Sequence, residues 1–377
     1  MKKYNVAVVG AGVVGIEMLR VLKQRNFPIG ELRVFARSAR EIDIDRERYS
    51  VRPISPEGFD GIDIALFAGT EGEKGAAVTF AAEAVKRKAV VIDNGADFRM
   101  DPKVPLVVPE VNAKDVEPIR NWFVKKHRPE GRGLASDRQN HRGIIANPNC
   151  STIQMVVALN PIHKKVGVKR IIVTTLQASS GAGKGAVEQL KEENSLIAQG
   201  GFGNVRVSAV NKSMPQQLAY NVFPHIGSFV EGDYSAGART GYSAVAGYTN
   251  EEWKLVKETH KIMHAPKIKI SATTVRVPVR TGHSESIYIE TCRPISADQA
   301  RAILSQAPGV ILMDEPKNNL YPMPKDVEGR DETFVGRIRK DAFVKNGLWL
   351  WVVADNLRKG ASTNAVQIAE CVISGSK

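Results

Sequence analysis

The sequence predicts an α/β protein: a doubly wound parallel sheet, joined to an α+β part with a mixed sheet. Three observations lead there. Continuous apolar runs, as expected for strands buried on both faces, alternate with helix-patterned segments through the N-terminal part. The first of these runs opens into a glycine-rich turn and then a helix. The chain is also 377 residues long, more than one core usually serves, so two domains are the default expectation.

Composition narrows the class. Hydrophobic residues at 43% and charged residues at 25% are ordinary for a soluble globular protein. No stretch approaches the ~20 apolar residues of a membrane span, and Met1-Lys2-Lys3-Tyr4-Asn5 runs into a strand without a signal-peptide core. Cys150, Cys292 and Cys371 lie far apart with no CxxC spacing. That argues against a disulfide framework or a zinc site and makes the cytoplasm the expected compartment, with no metal. The net charge of +13 is partly concentrated between Arg120 and Arg142, where seven basic residues face only Glu130 and Asp137. No nucleic-acid-binding module accompanies it, so neither nucleic acid nor membrane is expected as a partner. A positive field also suits an enzyme of anionic substrates.

Asn5–Val9 reads as the first strand. It leads into Gly10-Ala11-Gly12-Val13-Val14-Gly15 and a helix carrying Ile16, Leu19, Val21 and Leu22. Strand, GxGxxG and helix together are the Rossmann dinucleotide fingerprint in its required context. The glycines let the backbone approach a pyrophosphate resting on the helix N-terminus. The second strand, Leu32–Ala36, ends in Arg37-Ser38 and then Arg40. An Asp or Glu there would bind a ribose 2′-OH, whereas Arg and Ser suit a 2′-phosphate, so the expected cofactor is NADP. Ile62–Phe67 and Ala89–Ile92 are further core strands around a helix from Gly75 to Lys88. After the second of them, Arg99 stands on the ligand side of the sheet as a candidate anion ligand. From Glu117 to Arg142 the pattern turns polar and basic, with Trp122 and Phe123 as isolated apolar anchors, and reads as an inserted excursion.

The chain re-enters the core at Gly143–Ala146, a short strand, and reaches Asn147-Pro148-Asn149-Cys150-Ser151-Thr152-Ile153-Gln154. Pro148 disfavours helix at Asn147. Cys150 therefore falls in the first turn of the next helix, which Pro161 is expected to help end. A helix N-terminus favours a thiolate over a thiol, and its N–H groups can hold an oxyanion. Beyond it, Lys169–Gln177 is a long strand and Ala178–Gly185 a small-residue loop that lets backbone crowd a ligand. Residues 200–247 read as irregular connections. Thr249 or Asn250 caps a helix. Lys267–Val279 and His283–Thr291 read as strands that place Arg276 and His283 on neighbours around a tight turn at Arg280-Thr281-Gly282. A helix from Ala297 to Gln306, a strand at Leu348–Val353 and an amphipathic helix from Gly360 to Ile373, packing back on the N-terminal domain, complete the pattern.

Taken together these pieces resemble the aspartate-β-semialdehyde dehydrogenase family over nearly the whole chain. The most specific runs are Pro148–Gln154, Gln177-Ala178 with Ser180–Gly183, Arg276 with His283-Ser284-Glu285-Ser286, Thr333–Asp341 and Pro109-Glu110-Val111-Asn112. The resemblance implies Cys150 as nucleophile, His283 as acid/base and Gln177 as a group that orients the thioester or binds substrate. It further implies Glu251 and Arg276 as ligands of the substrate amino and carboxylate groups, and Arg99, Asn149 and Lys254 as the phosphate site. Gly10, Gly12, Val13, Val14, Gly15, Arg37, Ser38, Ser180, Gly181 and Asn356 would line the cofactor. A homodimer or homotetramer is implied, with an NADP-binding domain of residues 1–149 and 356–377, carrying the basic insert at about 119–142, and a catalytic and oligomerisation domain of residues 150–355.

The implied reaction is reversible NADP-dependent reductive dephosphorylation of L-aspartyl-4-phosphate through a cysteine thioester, on the route to lysine, diaminopimelate, threonine and methionine. Small-molecule substrate and phosphate are the expected partners. Reducing an acyl phosphate needs a nucleophile, a hydride donor, a proton source and a phosphate site, and the residues offer candidates for each. The chain departs from the family pattern in a glycine loop one residue shorter, in Ala68-Gly69-Thr70-Glu71-Gly72-Glu73 where a serine-rich turn is usual, and in a longer basic insert. Rival readings are an N-acetyl-glutamyl-phosphate reductase, disfavoured by the pair Glu251 and Arg276, and a catalytically silent NADP-binding paralogue, disfavoured by Cys150, Gln177 and His283 together.

Overall fold

Strands β1 (Tyr4–Val9), β2 (Ile29–Ala36), β3 (Arg40–Ile44), β4 (Glu47–Pro53), β5 (Ile64–Phe67), β6 (Val90–Asp93) and β7 (Ile144–Ala146) form one sheet. Strands β8 (Val168–Gln177), β9 (Lys269–Arg276), β10 (His283–Thr291), β11 (Val310–Leu312), β12 (Thr333–Lys340) and β13 (Gly347–Ala354) form a second. The helices are α1 (Val13–Gln24), α2 (Ala76–Lys86), the single turn α3 (Pro109–Asn112), α4 (Glu117–Lys126) and α5 (Cys150–Val166). They continue as α6 (Lys184–Ala198), α7 (Asn250–Ile262), α8 (Ala297–Leu304), the single turn α9 (Pro324–Val327) and α10 (Thr363–Ile373). The structure, a computed structural model, describes residues 2–69, 75–126, 143–199, 213–230 and 247–374. His127 and His141, the turn at 70–73, the basic stretch beyond 126 and much of 200–247 lie outside the described residues. Contacts divide the chain into two units, Met1–Ile153 with Leu357–Lys377, and Gln154–Asn356.

The first sheet runs β3-β4-β2-β1-β5-β6-β7, and every pairing is parallel except that of β3 with β4. Successive side chains on a strand face opposite ways, and both faces are covered. Val6 and Val8, Ile64 and Leu66, and Val90 and Ile92 share a core with Met18, Leu19 and Leu22 of α1 and with Val366, Ile368, Ala369 and Val372 of α10. Phe67 stacks on Phe59, which in turn meets Phe35. The helix expected at Gly360–Ile373 does pack back on this unit, entered through a π-turn at Arg358–Ser362.

Two features differ from the sequence reading. Trp122 and Phe123 are not isolated anchors in an excursion. With Ile119 they are the buried face of α4, 0–1% exposed, and join the same core as α10. Three apolar residues at i, i+3 and i+4 make a stripe that the basic neighbours obscured. The hairpin β3–β4 was also unforeseen: it turns at Asp45-Arg46, both at positive φ, without the glycine or asparagine that usually signals such a turn.

The second sheet runs β11-β12-β13-β10-β8-β9 and is mixed: β8 with β9 and β11 with β12 are parallel, the other pairings antiparallel. Here the expectation that β9 and β10 are neighbours fails. β8 lies between them, with Gln177 opposite Arg276 on one side and Leu176 opposite Ser284 on the other. The connection instead crosses the end of β8, where Ser179 and Ser180 donate backbone hydrogen bonds to Val279 and Arg280. Pro161 does not end α5, which runs on to Val166. A proline removes one helical bond, and buried Leu159 and Ile162 on either side of it hold the helix together until Gly167, at φ +73°, terminates it.

Candidate active site

In the first unit the candidate residues gather where the parallel strands end, the edge at which open α/β sheets bind ligands. Gly10 follows β1 at φ +105°. A methyl group at Gly15 would sit 1.7 Å from the Gly10 carbonyl oxygen, so only glycine closes that turn. At Gly12 a methyl would meet no atom of the chain, so the space kept there serves something other than the fold. No side chain caps the N-terminus of α1 and no acid stands in its first turn, leaving the N–H groups around Val13 and Val14 suited to an anion. Both observations fit a dinucleotide pyrophosphate. Arg37 and Ser38 are exposed just past β2, and β3 brings back Arg40, whose guanidinium donates to the Ala11 carbonyl at 3.3 Å.

Cys150 is the first residue of α5 and a free, half-buried thiol. The Asn149 side chain caps the helix, its Oδ1 accepting from the N–H groups of Ser151 and Thr152 at 3.1 and 3.3 Å. Beside this turn, the Asn147 N–H donates to the Asp93 carbonyl at 2.7 Å. Arg99, 5% exposed, donates to the Asn94 carbonyl at 2.7 Å. Asn94 itself keeps both side-chain polar atoms buried without a hydrogen-bond partner.

Sequence reasoning missed what supports the cysteine turn. Asn364 donates to Asn147 Oδ1 at 2.7 Å and to the Val107 carbonyl at 2.9 Å. Fully buried Lys359 donates to Asn364, Gln367 and Glu110, the last at 2.7 Å. Burial would raise the Glu110 carboxyl, but the Lys359 charge and its hydrogen bonds hold it below the usual range. The run Pro109–Asn112 thus has structural work here, with Asn112 bonding Val108, Leu106 and Asp115. A lysine before an apolar helix carries no local sign of a partner 249 positions away.

In the second unit the side chains converge on buried His283. Gln177, 2% exposed, accepts from Thr175 Oγ1 at 3.0 Å and donates to Glu251 Oε1 at 3.1 Å. Glu251 in turn pairs with Lys254 at 3.3 Å, one turn on along α7. This helix starts from a complete capping box at Thr249 and Glu252. Arg276, 4% exposed, donates to the Ala178 carbonyl at 2.5 Å. A methyl at Gly181 would lie 3.1 Å from His283 Cε1 and Nε2, so glycine there lets ring and turn approach. Ser180 and Asn356 hydrogen-bond each other, and Asn356 also accepts from the Gly282 N–H at 2.9 Å. Their polar atoms therefore brace the entry to β10. Gln154 on α5 reaches the His283 carbonyl at 3.4 Å.

Two titratable groups on β10 are displaced. Burial pushes the His283 imidazole well below its usual range, and the Arg276 charge adds to this. Burial pushes the Glu285 carboxyl well above its usual range, only partly offset by the Gln154 amide; neither carboxyl oxygen has a partner in good hydrogen-bond geometry. Glu285 stood inside a recognised run, but nothing in the sequence marked it as buried. Of the other described histidines, His163 accepts from the Val168 N–H, His225 stacks on Phe229 and His260 bonds the Ile268 carbonyl.

Family models match both parts of the chain: the NAD binding domain of semialdehyde dehydrogenases over residues 5–119 and their dimerisation domain over residues 159–359. A relative from Aquifex aeolicus named aspartate-semialdehyde dehydrogenase is 49% identical over 98% of each chain. The chain belongs to the aspartate-semialdehyde dehydrogenase family. The Bacillus subtilis member is 44% identical over 97% of this chain and 96% of its own. The crystal structure of Vibrio cholerae aspartate semialdehyde dehydrogenase II complexed with ASA superposes at a TM-score of 0.83, with 39% identity over 99% of both chains. The fold class read from the sequence, a parallel-sheet nucleotide-binding unit and a mixed-sheet unit, is the fold of this family. Among the described residues no helix is long and apolar enough to cross a membrane.

Proposed function

We propose that this protein catalyses the reversible, NADP-dependent reductive dephosphorylation of L-aspartyl-4-phosphate to L-aspartate-4-semialdehyde through a thioester on Cys150. The observation that carries the reading is 49% identity to an aspartate-semialdehyde dehydrogenase along essentially the whole chain. In support, a free cysteine heads a capped helix and a buried histidine is held by Gln177 and Ala178. The glycine loop, the uncapped N-terminus of α1 and basic Arg37 and Arg40 in place of an acid after β2 suit NADP. Ser38, Ser180, Gly181 and Asn356 complete the cofactor's surroundings in this reading.

Cys150 Sγ attacks the acyl carbon; the carbon–oxygen bond to phosphate breaks and the electron pair leaves with phosphate, held by Arg99, Asn149 and Lys254. Glu251 and Arg276 bind the substrate amino and carboxylate groups, and Gln177 orients the acyl group. NADPH, when bound, supplies the hydride that the thioester accepts. His283 stabilises the oxygen of the resulting thiohemiacetal, whose collapse releases the aldehyde and restores the Cys150 thiolate. A buried carboxylate at Glu251 fits a free ammonium better than an N-acyl group, which favours the aspartyl over the N-acetyl-glutamyl substrate. The matched dimerisation domain supports a homodimer, and we assign the enzyme to the cytoplasm.

The test supplies aspartate semialdehyde, phosphate and NADP or NAD and follows nicotinamide absorbance. Wild type should reduce NADP only when phosphate is present, whereas Cys150→Ala should lose about four or more orders of magnitude in kcat, as removal of a nucleophile typically does. A phosphate-independent rate, or an alanine variant of undiminished activity, would exclude the thioester route.

A further inference from the structure

We propose that Ala178 is a positioning residue for His283: its backbone N–H holds the imidazole as the neutral Nε2–H tautomer, so His283 works as a hydrogen-bond donor to the substrate oxygen and not as a base. The inference rests on the functional reading above and departs from the acid/base role that the resemblance implied. The Ala178 N–H donates to His283 Nδ1 at 3.0 Å, with both residues fully buried. A nitrogen that accepts a hydrogen bond carries no proton, so the neutral ring must carry its proton on Nε2.

One contact pulls the other way. The Gln177 amide nitrogen lies 3.5 Å from His283 Nε2 and could donate only to an unprotonated Nε2. At 3.5 Å it is near the limit of a hydrogen bond, whereas 3.0 Å is the commonest N–H distance, and Gln177 already donates to Glu251 at 3.1 Å. The Ala178 contact therefore decides the tautomer. Imidazolium would need a proton on Nδ1, facing the Ala178 N–H inside a site with no water to relieve the clash. The groups around the ring agree. Arg276 of β9 is positive and disfavours a second charge. Glu251 of α7 is engaged by Gln177 and Lys254, and Glu285, two residues along β10, is held neutral by burial. Gln154 of α5 and Gly181 are uncharged.

The chemistry does not need the proton to leave. When the thiolate displaces phosphate, the carbon–sulfur bond forms and the carbon–oxygen bond breaks with its pair going to phosphate. After hydride addition, the alkoxide lone pair reforms the carbonyl while the carbon–sulfur pair returns to sulfur. Both steps balance with no proton moved, and what each needs is a donor aimed at the oxygen that becomes negative. Neutral imidazole has the N–H for that role, as in other enzymes that use an uncharged histidine as electrophile.

Nitrogen-15 NMR of histidine-labelled protein tests this directly, with His283 assigned by its loss in His283→Asn. The expected result is an unprotonated Nδ1 and a protonated Nε2 throughout the neutral range; a protonated Nδ1, or a doubly protonated ring at neutral pH, overturns the proposal. An amide-to-ester replacement at Ala178 removes the N–H while leaving the size almost unchanged. Nδ1 should then gain proton occupancy, and kcat should fall by roughly 100-fold, the loss typical of one oxyanion donor, with KM little changed. An unchanged tautomer and kcat in the ester protein would also overturn it. If the protein reduces NADP with no aspartate semialdehyde at all while the NMR result stands, the functional reading fails and the tautomer assignment does not.

Discussion

His283 and Glu285 are two positions apart on β10, so their side chains leave the strand on the same face, and both are fully buried. Each costs stability through its unfolded state, in opposite directions of pH. Below its ordinary pKa of 6.5 the histidine is protonated in the unfolded chain but not in the folded one, so stability is lost as pH falls. Above its ordinary pKa of 4.5 the glutamate is ionised only in the unfolded chain, so stability is lost as pH rises until the folded-state pKa is reached. Glu285→Gln should therefore gain on wild type with rising pH, by up to about 1.4 kcal/mol per unit. His283→Gln should gain with falling pH below the histidine range. Urea midpoints across a pH series would show this; a difference that stays flat with pH would mean these side chains are not held neutral.

The element that orders the first unit's site is the turn from β1 into α1, and its glycines make separable predictions. Gly15→Ala drives a methyl into the Gly10 carbonyl oxygen, so the turn must open; both fold stability and NADPH affinity should fall. Gly12→Ala meets no atom of the chain and should cost less than about 1 kcal/mol, the scale of an altered N-cap residue. It should nonetheless weaken NADPH binding by roughly 10-fold or more, because the pyrophosphate needs the space. Unfolding curves and a fluorescence titration of NADPH separate the two effects, and equal affinity for Gly12→Ala and wild type would remove the pyrophosphate from this turn. In α5, Asn149→Ala should cost about 1 kcal/mol as a lost cap, measurable by the same denaturation. Helix and cap were legible in the run Asn147–Gln154, because capping and proline rules act between adjacent residues. The passage of α5 through Pro161 was not, because packing of Leu159 and Ile162 outweighs one missing hydrogen bond.

At the scale of the molecule, the C-terminal segment is tied to the N-terminal sheet by charge as well as by apolar packing. Arg358 reaches Glu17 at 2.7 Å and Gln24 at 2.7 Å, Arg25 pairs with Glu370 at 2.8 Å, and Lys359 is buried against Glu110. Removing one partner of a buried pair leaves the other uncompensated, so Lys359→Met should cost roughly 3–5 kcal/mol. The double variant Glu110→Gln, Lys359→Met should recover part of that loss, since no charge is then stranded. Through Asn364 and Asn147 the single substitution should also lower the rate at which Cys150 is alkylated. A neutral Lys359→Met would show that the pair is solvated in solution.

By itself the sequence determined the elements and the chemistry within them: the buried strands, the glycine turn, the cysteine at a helix start, and Gln177 and His283 in their runs. These follow from periodicity, capping and steric rules that act over a few neighbouring residues. Only the tertiary structure decided that β8 lies between β9 and β10, which sets Gln177 opposite Arg276. It also decided that α4 is core, that Lys359 underpins the cysteine turn, and that Ala178 fixes the proton on His283. Each of these is a pairing between segments distant in the chain, chosen by burial and hydrogen-bond satisfaction, and no local pattern records the identity of a distant partner.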